Sequence, residues 1–233
     1  MIGHTLRRRL HDGERLLMVN PHHVSSGLAA RLCELGADTV FLDCEHGSAG
    51  FEDVRAMAAA ARGAGGGAIV RPDSHARSTM IRYLNCGADG LMVPMVENAE
   101  QARAIVETVR YACPADHEKR LVICMIETLE AIANLHAILA VDGVDLLFVG
   151  PGDLSQSMGY LPSVPFGEER PQAVQDAVAG AVAKIRAAGK IAGTLVFEHE
   201  MERWAKAGVQ FFYIHSDPFL RTGLARMRTL SAS

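Results

Sequence analysis

The chain has only four lysines, Lys119, Lys184, Lys190 and Lys206, and that scarcity removes a class of chemistry. A barrel enzyme that activates carbonyls as a Schiff base needs a lysine inside the barrel. The two lysines near apolar strand-like segments, Lys119 and Lys190, stand at their starts, so the sequence offers no Schiff-base lysine. A basic excess is also missing. The formal net charge is −4, and no positive field invites nucleic acid. No apolar stretch reaches the roughly 18 residues that a membrane span needs. The five cysteines, Cys33, Cys44, Cys86, Cys113 and Cys124, form no C-x-x-C pair. They read as reduced core residues of a cytoplasmic protein, not as a disulfide framework or a zinc site. The glycine run from Gly63 to Gly67 lacks the Lys-Ser/Thr of a phosphate loop, so no nucleotide site is expected there.

What is present is regular alternation. Apolar strand candidates occupy Leu16–Asn20, Thr39–Asp43, Ala68–Arg71, Gly90–Pro94, Leu121–Glu127, Asp145–Gly150, Ile191–Phe197 and Gln210–His215. Alanine-rich helical patterns lie between them, such as Phe51–Arg62, Ala99–Arg110, Leu129–Leu139, Pro171–Ala188 and His199–Lys206. Eight such units in 233 residues, 49% of them hydrophobic, predict a single-domain (β/α)8 TIM barrel over residues 1–233. A doubly wound open sheet is the rival architecture. The basic start, Leu6-Arg-Arg-Arg-Leu10, has no apolar h-region and is followed by Asp12 and Glu14. It predicts an N-terminal helix within residues 1–14, ahead of the first strand, in place of a transit peptide. Gly36-Ala-Asp, Gly87-Ala-Asp, Gly143-Val-Asp and Gly208-Val-Gln each close a helix and open an even-numbered strand, as in a ring of repeated two-unit pieces.

The polar residues gather at the C-terminal ends of these strands, where barrel enzymes build their sites. Glu127 and Asp153 each terminate an apolar run, and two carboxylates on neighbouring strands form a hard-oxygen half-cage suited to Mg²⁺ or Mn²⁺. The rival reading makes them helix caps. Gly152 lets the backbone approach a ligand, and the Gly152 and Asp153 amides would face an anion. Arg71 ends the third strand and suits a carboxylate or a developing oxyanion, or else a salt bridge to a barrel carboxylate. His46, after Asp43-Cys-Glu45, is a candidate general base. His215, at the end of the eighth strand, is a further candidate substrate contact. Without a barrel lysine, carbonyl chemistry here calls for a metal as Lewis acid.

Phe41-Leu-Asp-Cys-Glu-His-Gly47, Val70-Arg-Pro72, Gly87-Ala-Asp-Gly-Leu-Met-Val-Pro-Met-Val96, Ile126-Glu-Thr128 and Val149-Gly-Pro-Gly-Asp-Leu-Ser-Gln-Ser-Met-Gly159 resemble the HpcH/HpaI family of class II pyruvate aldolases, in consistent order from about residue 15 to 225. The resemblance implies a divalent metal (Mg²⁺, Mn²⁺ or Co²⁺) held by Glu127 and Asp153, with Asp43 and Glu45 behind it through water. It implies a lyase that cleaves 4-hydroxy-2-oxo acids to pyruvate and an aldehyde through a metal-bound enolate. Arg71 would steady the oxygen and His46 would take the C4 hydroxyl proton. Small-molecule substrates and a homo-oligomer, a hexamer or trimer, are implied too, with the last helix, residues 218–230, packed on a neighbour. The chain departs from the family pattern in four places. Asn85 replaces an acidic residue that orients the catalytic histidine. Met125 replaces a glutamine. The segment Tyr111–Arg120 is shorter than the relatives' site-covering loop, and Asn20-Pro-His-His23 makes the aldehyde pocket more polar. A citrate-lyase-type enzyme, a 2-oxo acid decarboxylase and a catalytically weakened binding barrel stay open as alternatives.

Overall fold

A computed structural model describes residues 5–165 and 167–232. Eight parallel strands form a closed ring: β1 (Leu16–Asn20), β2 (Thr39–Asp43), β3 (Gly67–Arg71), β4 (Gly90–Val93), β5 (Leu121–Ile126), β6 (Leu146–Val149), β7 (Ile191–Leu195) and β8 (Phe211–His215). β8 pairs with β1, so the sheet has no edge and the open doubly wound sheet is excluded. α1 (Leu6–His11) precedes β1. The outer ring follows as α2 (Ser26–Glu34), α3 (Phe51–Gly63), α4 (Arg77–Asn85), α5 (Ala99–Ala112), α6 (Leu129–Ala133), α7 (Leu135–Leu139), α8 (Pro151–Ser157), α9 (Gln172–Ala187), α10 (Met201–Lys206) and α11 (Asp217–Ser231). Of the expected N-terminal helix, residues 1–4 lie outside the described residues.

Two expectations need correction. Pro94, Glu127, Gly150 and Phe197 fall just beyond their strands, because the chain leaves the sheet at the mouth to enter the loops. The single helix expected over Leu129–Leu139 breaks at Asn134. There φ is −89° and ψ 2°, and the side-chain amide donates to the Glu97 carbonyl.

Strand residues alternate between two cores, as a period of two requires. Met18, Phe41, Ile69, Met92, Ile123, Phe148, Phe211 and Tyr213 point into the barrel and fill it. Val40, Val70, Leu91, Cys124, Leu147 and Phe212 point outward and pack beneath the helices. Following the inward series toward the C-terminal ends brings Asn20, Asp43, Arg71, Glu127 and His215 into one polar layer above the apolar plug.

The glycine echoes mark a repeated clip at the opposite end. Gly36, Gly87, Gly143 and Gly208 all have φ between 91° and 114°, the left-handed conformation that ends a helix cheaply only for glycine. Two residues later, Asp38, Asp89 and Asp145 each lock the strand before them. Their amides donate to the carbonyls of Leu17, Ala68 and Val122, and their carboxylates accept those residues' amides at 2.8, 2.9 and 3.0 Å. Gln210 makes the same backbone bond to Ala192. Each clip also meets an arginine: Arg9 on Asp38, Arg62 on Asp89, Arg7 on Asp145 and Arg186 on Gln210.

Candidate active site

The mouth of the barrel opens into a cleft with two lobes that share Phe41, His46, Arg71, Tyr213 and His215. The larger lobe, about 430 Å³, contains Glu127, Gly152 and Asp153 over the apolar floor of Met92, Met125 and Phe148. The smaller lobe, about 280 Å³, extends over the ends of β1 and β2.

Glu127 is the most constrained group. It is 1% exposed. Its Oε1 accepts the Met95 amide at 2.8 Å, while Oε2 is buried with no hydrogen-bond partner. A side chain at Gly150 would bring its Cβ to 2.5 Å from Oε2, so only glycine leaves that oxygen its place. Desolvation pushes the Glu127 carboxyl up to about 8. The Met95 amide and Arg71 pull the other way, and Asp153 and Glu45 add to the rise. A buried carboxylate so short of partners is an unfavourable arrangement on its own.

The capping reading fails for both carboxylates. The cap of α6 is Thr128, whose hydroxyl accepts from Ala131, and the cap of α8 is Gly150. Asp153 occupies the first turn of α8, behind Pro151 and Gly152, and faces the same lobe as Glu127.

Arg71 is 8% exposed and is held by two acids at once. Its Nε and Nη2 donate to the Asp43 carboxylate at 3.0 and 2.7 Å, and Nη1 lies 3.1 Å from Glu45. The salt-bridge reading is therefore correct as geometry. Three contacts leave two of the guanidinium's five N–H groups for a ligand, so the pairing also orients it. Burial acts to raise the Asp43 carboxyl, but the hydrogen bonds and charge of Arg71 win and hold it below the usual carboxylate range. Glu45 goes the other way, because burial outweighs its attraction to Arg71 and His46. His46 stands at the rim, with its side chain 66% exposed and Nε2 4.0 Å from Glu45. Its amide is anchored on Asp43, 3.2 Å away.

His215 reaches both lobes. Its ring stacks on His22 with centroids 4.7 Å apart, and its Nδ1 lies 2.7 Å from Nε2 of His22. The Asn20–Tyr213 hydrogen bond beneath them measures 2.7 Å.

Asn85 does not join this group. It is the exposed last residue of α4, at the end of the barrel where β4 begins, so it orients no histidine within this chain. The Tyr111–Arg120 segment is corrected in the same way. It links α5 to β5 and packs near α1 at the N-terminal end, so its length leaves the chain's own mouth unchanged. Asp73, Glu198, His199 and Asp217 share the strand-end layer in sequence but line neither lobe. Among the described residues no lysine lines the cleft. Lys190 instead donates to the carbonyls of Val141 and Val144.

Three features of the site were not read from sequence. The Met95 amide and the empty space at Gly150 are tertiary relations that carry no local signal. Tyr213, however, is the inward residue two before His215, and strand alternation alone would have found it.

Residues 22–215 match the family model described as HpcH/HpaI aldolase/citrate lyase. The chain is 32% identical to a 2-keto-3-deoxy-L-rhamnonate aldolase of Klebsiella pneumoniae, over 95% of this chain and 90% of that one. It is 33% identical to a 4-hydroxy-2-oxo-heptane-1,7-dioate aldolase of Salmonella arizonae, over 79% of this chain and 78% of the relative. A family protein from Burkholderia cenocepacia superposes with a TM-score of 0.86 at 25% identity, covering 97% of this chain and 98% of that one.

Proposed function

The chain belongs to the HpcH/HpaI aldolase/citrate lyase family, and from that premise we propose that it is a divalent-metal-dependent lyase that cleaves 4-hydroxy-2-oxo acids to pyruvate and an aldehyde. The observation that carries the metal assignment is the bare, buried Oε2 of Glu127, a residue that lines the same lobe as Asp153. A second negative charge nearby makes a cation the natural counter-charge for this oxygen, and two carboxylates are the hard donors that Mg²⁺ or Mn²⁺ takes. Among the described residues no three His, Cys, Asp or Glu side chains converge on one point. The protein's share would thus be Glu127 and Asp153, with substrate oxygens and water as the remaining ligands. When bound, the cation supplies Lewis acidity toward the 2-oxo group.

The chain's own groups do the rest. The first-turn amides of α8, Gly152 and Asp153, have no partner inside the helix and suit the substrate carboxylate. Arg71, fixed by Asp43 and Glu45, directs its remaining N–H groups at the C2 oxygen as negative charge develops there. His46 takes the C4 hydroxyl proton. The C3–C4 bond breaks, its electrons forming the C2–C3 double bond of pyruvate enolate, and the C4 fragment leaves as the aldehyde. A proton delivered to C3 completes pyruvate. Met92, Met125 and Phe148 keep the floor of the lobe apolar, which strengthens these charge interactions.

α11 has no buried residue and exposes Phe219, Leu220, Leu224, Met227 and Leu230. A second copy of the chain is the cover this reading gives it, in a homo-oligomer.

The test is release of pyruvate and aldehyde from a 4-hydroxy-2-oxo acid with Mg²⁺ or Mn²⁺, with and without chelator. Turnover that chelator abolishes and metal restores is expected, and full turnover in chelator contradicts the assignment. Oxaloacetate should also lose CO₂, since the same enolate forms.

A further inference from the structure

A separate cavity, about 100 Å³, lies at the N-terminal end of the barrel, beside the starts of β5 and β6. The mechanism above makes no use of it. Arg7 reaches it from α1 and Arg110 from the last turn of α5. The turn ahead of β5 adds His117, Glu118 and Arg120, and Asp145 stands just before β6. The Asp145 carboxylate is fully occupied. One oxygen accepts from Arg7 at 2.7 Å and the other from the Val122 amide at 3.0 Å. The donors around it are not. Arg120 gives Nη1 to the Ala88 carbonyl and Nη2 to Asp116, but its Nε is buried with no partner. The neighbouring Cys113 thiol, a weak acceptor, interacts with this guanidinium without giving Nε a hydrogen bond. The Nδ1 of His117 is buried without a partner as well. Arg7 commits Nε to Asp145 and Nη1 to the Glu118 carbonyl, which leaves Nη2 uncommitted. Among the described residues Arg110 makes no hydrogen bond or ion pair. Its Nη2 nevertheless reaches to 3.2 Å from where a Cβ on Gly143 would stand. That Cβ would also strike Val106 at 2.6 Å, so glycine keeps this wall open.

This surplus of donors selects the ligand. A guanidinium N–H can only donate, and a buried donor left without an acceptor is costly. A cation would meet three arginines and is excluded. A single water has two lone pairs, too few for donors arriving from Arg7, Arg110 and Arg120. A tetrahedral oxyanion presents acceptors in several directions and matches the planar fork of arginine. At about 100 Å³ the space is well below the size of a pocket for an organic ligand, so it suits one small ion. The Glu118 carboxylate is the charge that works against such an ion. Its side chain is exposed and forms no ion pair among the described residues, so it can turn to water.

We propose that this cavity binds a small tetrahedral oxyanion of the phosphate or sulfate type, held by Arg7, Arg110 and Arg120. The ion ties α1 to the turn ahead of β5. Because α1 closes the barrel floor, with Leu10 1% exposed in the inner core, the ion fastens that closure. The test is the melting temperature of the metal-free full chain as phosphate, or in a second series sulfate, is titrated at an ionic strength held constant with sodium chloride. The wild type should show a saturating rise, about 3 °C once the ion reaches ten times its dissociation constant. Stabilisation by exclusion of these salts from the surface grows without saturating. Arg110→Ala removes an exposed side chain that has no partner, so it should keep the melting temperature in chloride alone and weaken binding by at least about tenfold. Glu118→Gln removes the opposing charge and should tighten binding by about threefold. Neither variant touches the mouth, so the outcome is independent of the lyase reading. A wild-type rise that does not saturate with either ion would overturn the proposal. So would an Arg110→Ala variant that binds as tightly as the wild type, since the ion would then sit elsewhere, or a Glu118→Gln variant that fails to tighten it.

Discussion

At the N-terminal end of the barrel Asp38, Asp89 and Asp145 each accept a strand amide on one oxygen and meet an arginine on the other. At the mouth Glu127 accepts one amide and leaves its second oxygen bare. The acids are similar, yet at one end both oxygens of these three aspartates meet a partner, and at the other Glu127 keeps one oxygen without. Satisfied pairs at the closed end lock strands in register, whereas an unsatisfied one at the open end keeps its binding capacity for a ligand. Asp43 and Arg71 sit between these cases, because they satisfy each other and still leave N–H groups toward the cleft.

Glu127→Gln should break the mouth without touching the closed end. Aldol cleavage should fall by at least about 10²-fold, the scale of losing a charge-stabilising element, and the rise in melting temperature on adding Mn²⁺ should vanish. Retained turnover would return Glu127 to a structural role. Arg71→Ala should cost about 10²-fold in kcat. Arg71→Lys should not restore it, since an ammonium cannot grip Asp43 with two donors and still present others. Steady-state rates on both variants decide this.

The closed end should answer in the opposite currency. Asp145→Ala strands Arg7 and the Val122 amide, so it should lower unfolding free energy by about 3 kcal/mol, read from the urea midpoint. Its kcat/KM per folded molecule should match the wild type. A rate loss as large as that of Arg71→Ala would erase the distinction between the two ends.

The smallest effect expected is on stability against pH. His215 binds a proton less readily folded than unfolded, so it titrates near 4 in the native state and near 6.5 in the unfolded chain. The unfolded state holds the extra proton between those values, so stability is complete above about 6.5 and declines as pH falls through 4. His215→Phe should flatten that part of the melting-temperature profile, and an unchanged slope would remove His215 from it.

Much of this division was legible in the residues. Apolar runs ending in a polar residue gave the strands and the strand-end layer, since a buried parallel strand reads as continuous hydrophobic sequence. The glycine echoes gave the two-unit repeat, though not the carboxylate clip it carries, because a hydrogen bond from Asp38 to Leu17 joins residues with no local pattern between them. Glu127, Asp153, Arg71 and His46 do gather at one mouth. Asn85 was misplaced because its motif lies near β4 in sequence, while α4 runs back toward the other end of the barrel. The Tyr111–Arg120 loop was misjudged for the same reason, since a loop entering a strand lies opposite a loop leaving it. The strands also ended earlier than their apolar runs, because burial continues into the mouth after sheet pairing stops.

The central claim is that the bare oxygen of Glu127, together with Asp153, exists to hold a cation. Titration of the purified protein with Mn²⁺, followed by its electron paramagnetic resonance signal, measures that directly. The account predicts one saturable site per chain in the wild type and none in a Glu127→Gln, Asp153→Asn double variant that still melts cooperatively. A wild-type chain that binds no Mn²⁺, or a double variant that binds it equally well, would contradict it.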